Sequence, residues 1–249
     1  MTKIKKFFFQ NLTGISVRLI LVITLLGIYG YIINRPTIDA EEFRSEGNYT
    51  DDELLLFADI AFSDNRIRKW GEDIRVEIKN IGEVSEKEIA EVDSAIAIFS
   101  PLVYPLKMYR VSANGNLVVN RRVDTIDIKM DVCGICRINP SVSNRGWKLR
   151  YVETYDLKPY HSPSVFLHEF EHALGLSHPL RQYPFYMIIV GREAPHVFKS
   201  IEESEKYLDM PFYVSEEEKK VIKMLYSPHI KPGLKKRIFM KKMGLYDNI

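Results

Sequence analysis

One run constrains this chain more than any other: His168-Glu169-Phe170-Glu171-His172-Ala173-Leu174-Gly175-Leu176-Ser177-His178-Pro179. Its spacing is H-E-x-x-H-x-x-G-x-x-H. On a helix, positions i and i+4 share a face, so His168 and His172 aim their imidazoles at one point. Glu169 sits one position round from them. A straight helix would carry residue 178 past that point. Gly175 can take positive φ without steric cost and end the helix, which lets His178 turn back. Three neutral imidazoles that converge make a zinc site with its fourth position open, the pattern of catalytic rather than structural zinc. Bare H-E-x-x-H arises by chance in surface helices. Here a glycine and a third histidine add to it at fixed offsets, and three of only six histidines fall in this run.

These residues resemble the metzincin zinc endopeptidases, whose extended motif they match at every fixed position. The block H-A-L-G-L-S-H-P is most similar to the serralysin-type branch. The resemblance implies Zn2+ held by His168, His172 and His178. It also implies a zinc-activated water that attacks a peptide bond, with Glu169 as general base. The partner is then a peptide or protein substrate. The branch's tyrosine is not carried over to Tyr183, because Leu180-Arg181-Gln182 departs from its glycine-containing turn. The calcium repeats common in secreted serralysins are absent from this sequence.

The implied fold is α+β: a twisted, mostly parallel sheet, a backing helix, the zinc helix and a C-terminal helix. In the family the strand just before the zinc helix lies inside the sheet, and the strand before that forms its edge. Residues near 124–136 would then border a cleft, with an extended peptide paired along that edge. The family also places a methionine beneath the zinc. Met210, before a proline and a capped helix, fits that arrangement better than Met187.

The chain begins with Lys3, Lys5 and Lys6. An uncharged apolar run follows at 19–33, or 15–33 with Arg18 inside it. That length is near the roughly 17–20 residues a spanning helix needs. The run ends in Ile32-Ile33-Asn34-Arg35-Pro36, which lacks the small residues of a cleavage site. We therefore expect residues 1–35 to be an uncleaved signal anchor with the N-terminus inside and the rest extracytoplasmic. Secretion after signal cleavage is the alternative.

Residues 36–62 read as a linker and short helix, with a capping box at Thr50 and Glu53. Residues 63–228 read as the zinc protease domain. Within it, Ile74-Arg75-Val76-Glu77-Ile78 alternates like a strand, and 86–99 is an amphipathic helix capped by Ser85 and Glu88. Strand-like runs follow at 106–111, 116–120, 123–132 and 147–154. Ser215 and Glu218 cap one more helix. Residues 229–249 read as a basic, solvated tail; 231–243 hold six basic and no acidic residues.

Cys133 and Cys136 are the only cysteines. Spaced C-G-I-C, they suit a local disulfide in an oxidising compartment or a thiol pair in a reducing one. A net charge of +2 gives no reason to expect a nucleic acid partner. Two other readings remain open. One is a metzincin-like zinc module of the cell envelope without proteolytic activity; the other is a structural envelope protein with incidental histidines.

Overall fold

The computed structural model describes residues 19–26, 37–80, 83–123, 134–138, 147–157, 163–178 and 214–245. The chain divides into two units, Met1–Pro36 and Thr37–Ile249. In the first, residues 19–26 are helical, and Leu19, Ile20, Leu21, Val22, Ile23, Leu25 and Leu26 are exposed. Among the described residues no helix is long and apolar enough to cross a membrane. The remainder of the apolar run lies outside them.

The second unit is mixed α+β, with a mostly parallel sheet. It opens with two short helices, α1 (Ala40–Gly47) and α2 (Asp51–Ile60). Asp39 caps α1 by accepting from the backbone of Glu41 and Glu42, and Thr50 and Glu53 form the expected capping box on α2. Next come β1 (Lys69–Trp70), β2 (Ile74–Asn80) and α3 (Glu86–Phe99). The strands β3 (Met108–Val111), β4 (Leu117–Val123), β5 (Gly134–Ile138), β6 (Lys148–Leu149) and β7 (Val152–Leu157) follow. Among the described residues the helices α4 (Pro163–Ala173), α5 (Glu216–Tyr226) and α6 (Lys236–Lys242) come last.

The main sheet has the order β3-β2-β4-β7-β5. The first four strands are parallel, and β5 runs antiparallel to β7 at the edge. A parallel neighbour needs a crossover connection, which α3 supplies between β2 and β3. The strand that precedes the histidine helix is therefore interior, and β5 forms the edge beside it. The run expected as a strand at 147–154 is split. Its first part, β6, pairs with β1 in a separate two-stranded sheet, and only β7 joins the main one.

Period-2 patterning decides which face is covered. Ile74, Val76, Leu117, Val119, Val152 and Thr154 are buried on the helix-covered side. Between them, Glu77, Glu153 and Tyr155 point the other way and are partly exposed. Helix α4 packs on β5 and β7. Its Phe170 stacks on Phe99 of α3, with centroids 5.3 Å apart. Arg121 of β4, fully buried, bridges these layers. It donates to Glu91 of α3 at 2.6 Å and lies over the Phe166 ring of α4.

The segments read as linker and tail belong to the same core. Phe43 of α1, Phe57 of α2, Phe62 and Phe239 of α6 meet in one aromatic cluster, with centroids 5.2–6.3 Å apart. Leu234, Met240, Met243 and Leu245 are buried with them. The basic residues drew the tail reading. The apolar residues interleaved with them are what dock it, because at helical spacing they form one face.

Candidate metal centre

Helix α4 presents Phe166, Leu167, Phe170 and Ala173 to the core, all buried. That fixes its rotation and leaves His168 and His172, one turn apart, on the opposite side. The helix then stops within one turn. Gly175 has φ +108°. Its N–H donates to His172 O at 2.9 Å, and the N–H of Leu176 donates to Glu171 O at 3.4 Å. This pair of bonds is a Schellman motif, which turns the chain back across the helix end.

The exit is held from outside as well. Trp70 Nε1 donates to Ala173 O at 2.8 Å, and the Tyr226 hydroxyl donates to Leu174 O at 2.9 Å. These bonds satisfy carbonyls that the helix end leaves without partners. Ser177 donates through both its N–H and its hydroxyl to Ile60 O at the end of α2, each at 2.9 Å. The next residue is His178.

The outcome is a tight triangle. The Nε2 atoms of His168 and His172 are 3.0 Å apart, those of His172 and His178 are 2.9 Å apart, and those of His168 and His178 are 3.1 Å apart. His172 Nδ1 lies 3.0 Å from the carbonyl of Leu176. A carbonyl only accepts, so Nδ1 carries the proton and Nε2 holds a lone pair. Burial, then the neighbouring His168 and His178, push His172 well below the ordinary histidine range, which keeps it neutral. Three ring nitrogens facing one another cannot all be satisfied by protons between them. A cation satisfies all three.

The spacing fits a metal ion. Nitrogens about 2.0–2.1 Å from a common zinc are about 3.3 Å apart in a regular tetrahedron. The observed 2.9–3.1 Å is a slightly contracted version of that ligand face. Among the described residues this is the one group of three or more ligand-type side chains placed to hold a metal ion. The Leu176 carbonyl supplies the outer contact that orients a metal-ligating histidine.

Glu169 is buried on the same helix; burial first, then the Glu169 carboxylate, push the thiol of Cys136 on β5 well above its ordinary range. Cys136 has a free thiol. Cys133 and Met210 lie outside the described residues, as do Met187 and Tyr183.

Sequence reasoning missed Glu171. It is almost fully buried on α4, and among the described residues neither carboxyl oxygen has a hydrogen-bond partner. Burial first, then Glu218 of α5, push its pKa well above the usual carboxylate range. A glutamate inside a helical run ordinarily marks a solvated face, so the sequence carried no signal for this. It also missed Arg68, Trp70 and Tyr226, whose roles lie in contacts remote along the chain.

Compared with known protein families and with curated proteins, the chain matches none. The functional reading therefore rests on the geometry of the site.

Proposed function

We propose that this chain is a zinc-dependent endopeptidase of metzincin type, in which His168, His172 and His178 hold the metal. The convergence of three Nε2 atoms to within 3.1 Å carries the reading, with the His172 tautomer set by Leu176. When bound, zinc supplies Lewis acidity, which acidifies water and polarises a carbonyl. Glu169 is the general base: a carboxylate oxygen takes the proton of the attacking water and returns it to the leaving amine nitrogen. Burial of Glu169 keeps competing solvent from that oxygen.

A peptide substrate pairs along the outer edge of β5. That strand bonds to β7 alone among the described residues, so its other side has backbone groups to offer. In this reading Met210 is the methionine that supports the site. Residues 15–33 tether the protein, with the basic N-terminus inside and the catalytic unit facing outward.

The test pairs metal analysis with a peptide library. The zinc-loaded chain should bind close to one equivalent and cleave peptides, and chelation should abolish turnover. Glu169→Gln should retain zinc and lose turnover by about 100-fold or more, the range assigned to general acid–base catalysis. Zinc binding without cleavage of any library member would leave only the metal-holding envelope module. Normal cleavage by Glu169→Gln would remove the assigned base.

A further inference from the structure

The fixed positions of the histidine run account for the ligands, the base and the helix break, but not for Ser177. Leu176, Ser177 and His178 are consecutive. The Leu176 carbonyl fixes the His172 tautomer from 3.0 Å, and His178 is the third ligand-type side chain. Between them, Ser177 is tied to a residue 117 positions earlier: its N–H and its hydroxyl each donate to Ile60 O at 2.9 Å. We propose that Ser177 is a positioning residue that couples the docking of α2 to metal binding. The inference rests on the three histidines as the metal site.

The acceptor suits this role. Ile60 is the last residue of α2, so its carbonyl has no partner within the helix, and its two lone pairs can take two donors. Ile60 is buried, so water competes little for that carbonyl. Helix α2 is also firmly seated. Its Glu53 pairs with Lys220 of α5, and its Phe57 meets Phe239 of α6 with centroids 5.2 Å apart. Its Asp59 lies 3.9 Å from Lys236 Nζ. These contacts run along the helix and fix the place of its last carbonyl.

The bonds from Trp70 and Tyr226 and the positive φ of Gly175 act on residues 173–175. The tie at Ser177 continues that restraint to the third histidine. Released from Ile60, the segment 176–178 gains freedom at two points that matter: the carbonyl that orients His172 and the ring of His178. A metal ion would then have to impose the order that the tie supplies in advance, and binding weakens by that cost. Linkage makes the effect reciprocal. If docked α2 favours the metal, bound metal favours docked α2 by the same factor.

The full-length chain is titrated with Zn2+ against a chromophoric chelator, and amide hydrogen exchange is followed with and without the metal. Ser177→Ala should weaken zinc binding about three- to tenfold, the worth of one hydrogen bond. Ser177→Thr, which restores the hydroxyl, should bind as the parent does. In the parent, zinc should slow exchange in α2, and in Ser177→Ala that zinc-dependent protection should shrink. A residue that only supports the fold would lower the stability of the metal-free chain and leave the zinc affinity of the folded chain alone. Lys220→Gln loosens α2 from α5 without touching the turn. It should also weaken zinc binding, and it keeps the test decisive if Ser177→Ala does not fold.

Parental zinc affinity in a folded Ser177→Ala would overturn the coupling, as would exchange in α2 that is indifferent to zinc. A chain that binds zinc and shows the coupling but cleaves no peptide would defeat the hydrolytic reading and keep this one. Cleavage without the coupling would do the reverse. A chain that binds no zinc would remove both.

Discussion

Gly175 and Arg68, more than 100 residues apart, meet where the histidine helix ends: a Cβ on Gly175 would run into the carbonyl oxygen of Arg68. Glycine is required there twice over, by that contact and by a φ of +108°. Two-stranded pairing of β1 with β6 holds the Arg68 backbone in place and sets Leu149 against the same spot. The turn that delivers His178 is thus built by residues outside the motif. Gly175→Ala should cost about 2 kcal/mol or more in stability. It should also lower zinc content, because Arg68 cannot yield without moving β1. Thermal unfolding with metal analysis checks both, and a variant with normal zinc affinity would detach the turn from the metal site.

Lys69 predicts an alkaline rise in stability. Its Nζ is buried and donates to Leu225 O at 3.0 Å and Ser227 O at 3.1 Å, at the end of α5. Desolvation lowers its pKa to about 8, opposed in part by Glu46. The unfolded chain keeps a lysine pKa near 10.4 and so binds more protons between about pH 8 and 10. Stability contributed at this site is therefore lowest below pH 8 and rises with pH across that window, by up to about 3 kcal/mol. A neutral amine has two N–H groups for two carbonyls, so no bond is lost on deprotonation. Denaturant titrations at pH 7.5 to 10 should show the rise, and Lys69→Met should flatten it.

Glu171 should be replaceable at a gain. A buried carboxyl with no hydrogen-bond partner among the described residues carries a desolvation cost of about 1–3 kcal/mol. Glu171→Met keeps the volume and removes the polar atoms. We expect it to raise stability by about 1–3 kcal/mol, measured by chemical denaturation, with zinc stoichiometry unchanged. A loss of stability of that size would mean that the carboxyl has a partner the structure does not contain.

Phe43 tests whether the domain begins at 37 or at 63. It is fully buried and contacts Tyr49, Phe57 and Phe239 at 5.1, 6.3 and 6.1 Å between centroids. Phe43→Ala should cost about 3–5 kcal/mol. A fragment spanning 37–249 should unfold cooperatively, and one spanning 63–249 should not. Retention of full stability by the shorter fragment would restore the reading of 36–62 as a linker.

Much of the site was legible because its signals are local. The i, i+4 histidines, the glycine three residues on and the third histidine need only helix geometry and a φ > 0 turn to imply convergence. The three capping boxes, at Thr50, Ser85 and Ser215, located helix starts because the partners sit three residues apart. The bounds of α3 agree with the 86–99 pattern for the same reason. Domain limits were harder to read. Charge density at 37–50 and 231–243 suggested solvent, whereas the residues that dock these segments, among them Ile38, Phe43, Leu234 and Phe239, are few and separated by charged ones.

By itself the sequence determined which side chains can ligate a metal, in which order they follow, and where the helix carrying two of them must break. These follow from backbone geometry within a dozen residues. Only the tertiary structure decided that β1 and β6 pair in a sheet of their own. It alone set the Arg68 carbonyl against Gly175 and left Glu171 buried without a donor among the described residues. Those relationships join residues tens of positions apart, and their energies depend on burial and mutual orientation, which no local pattern encodes.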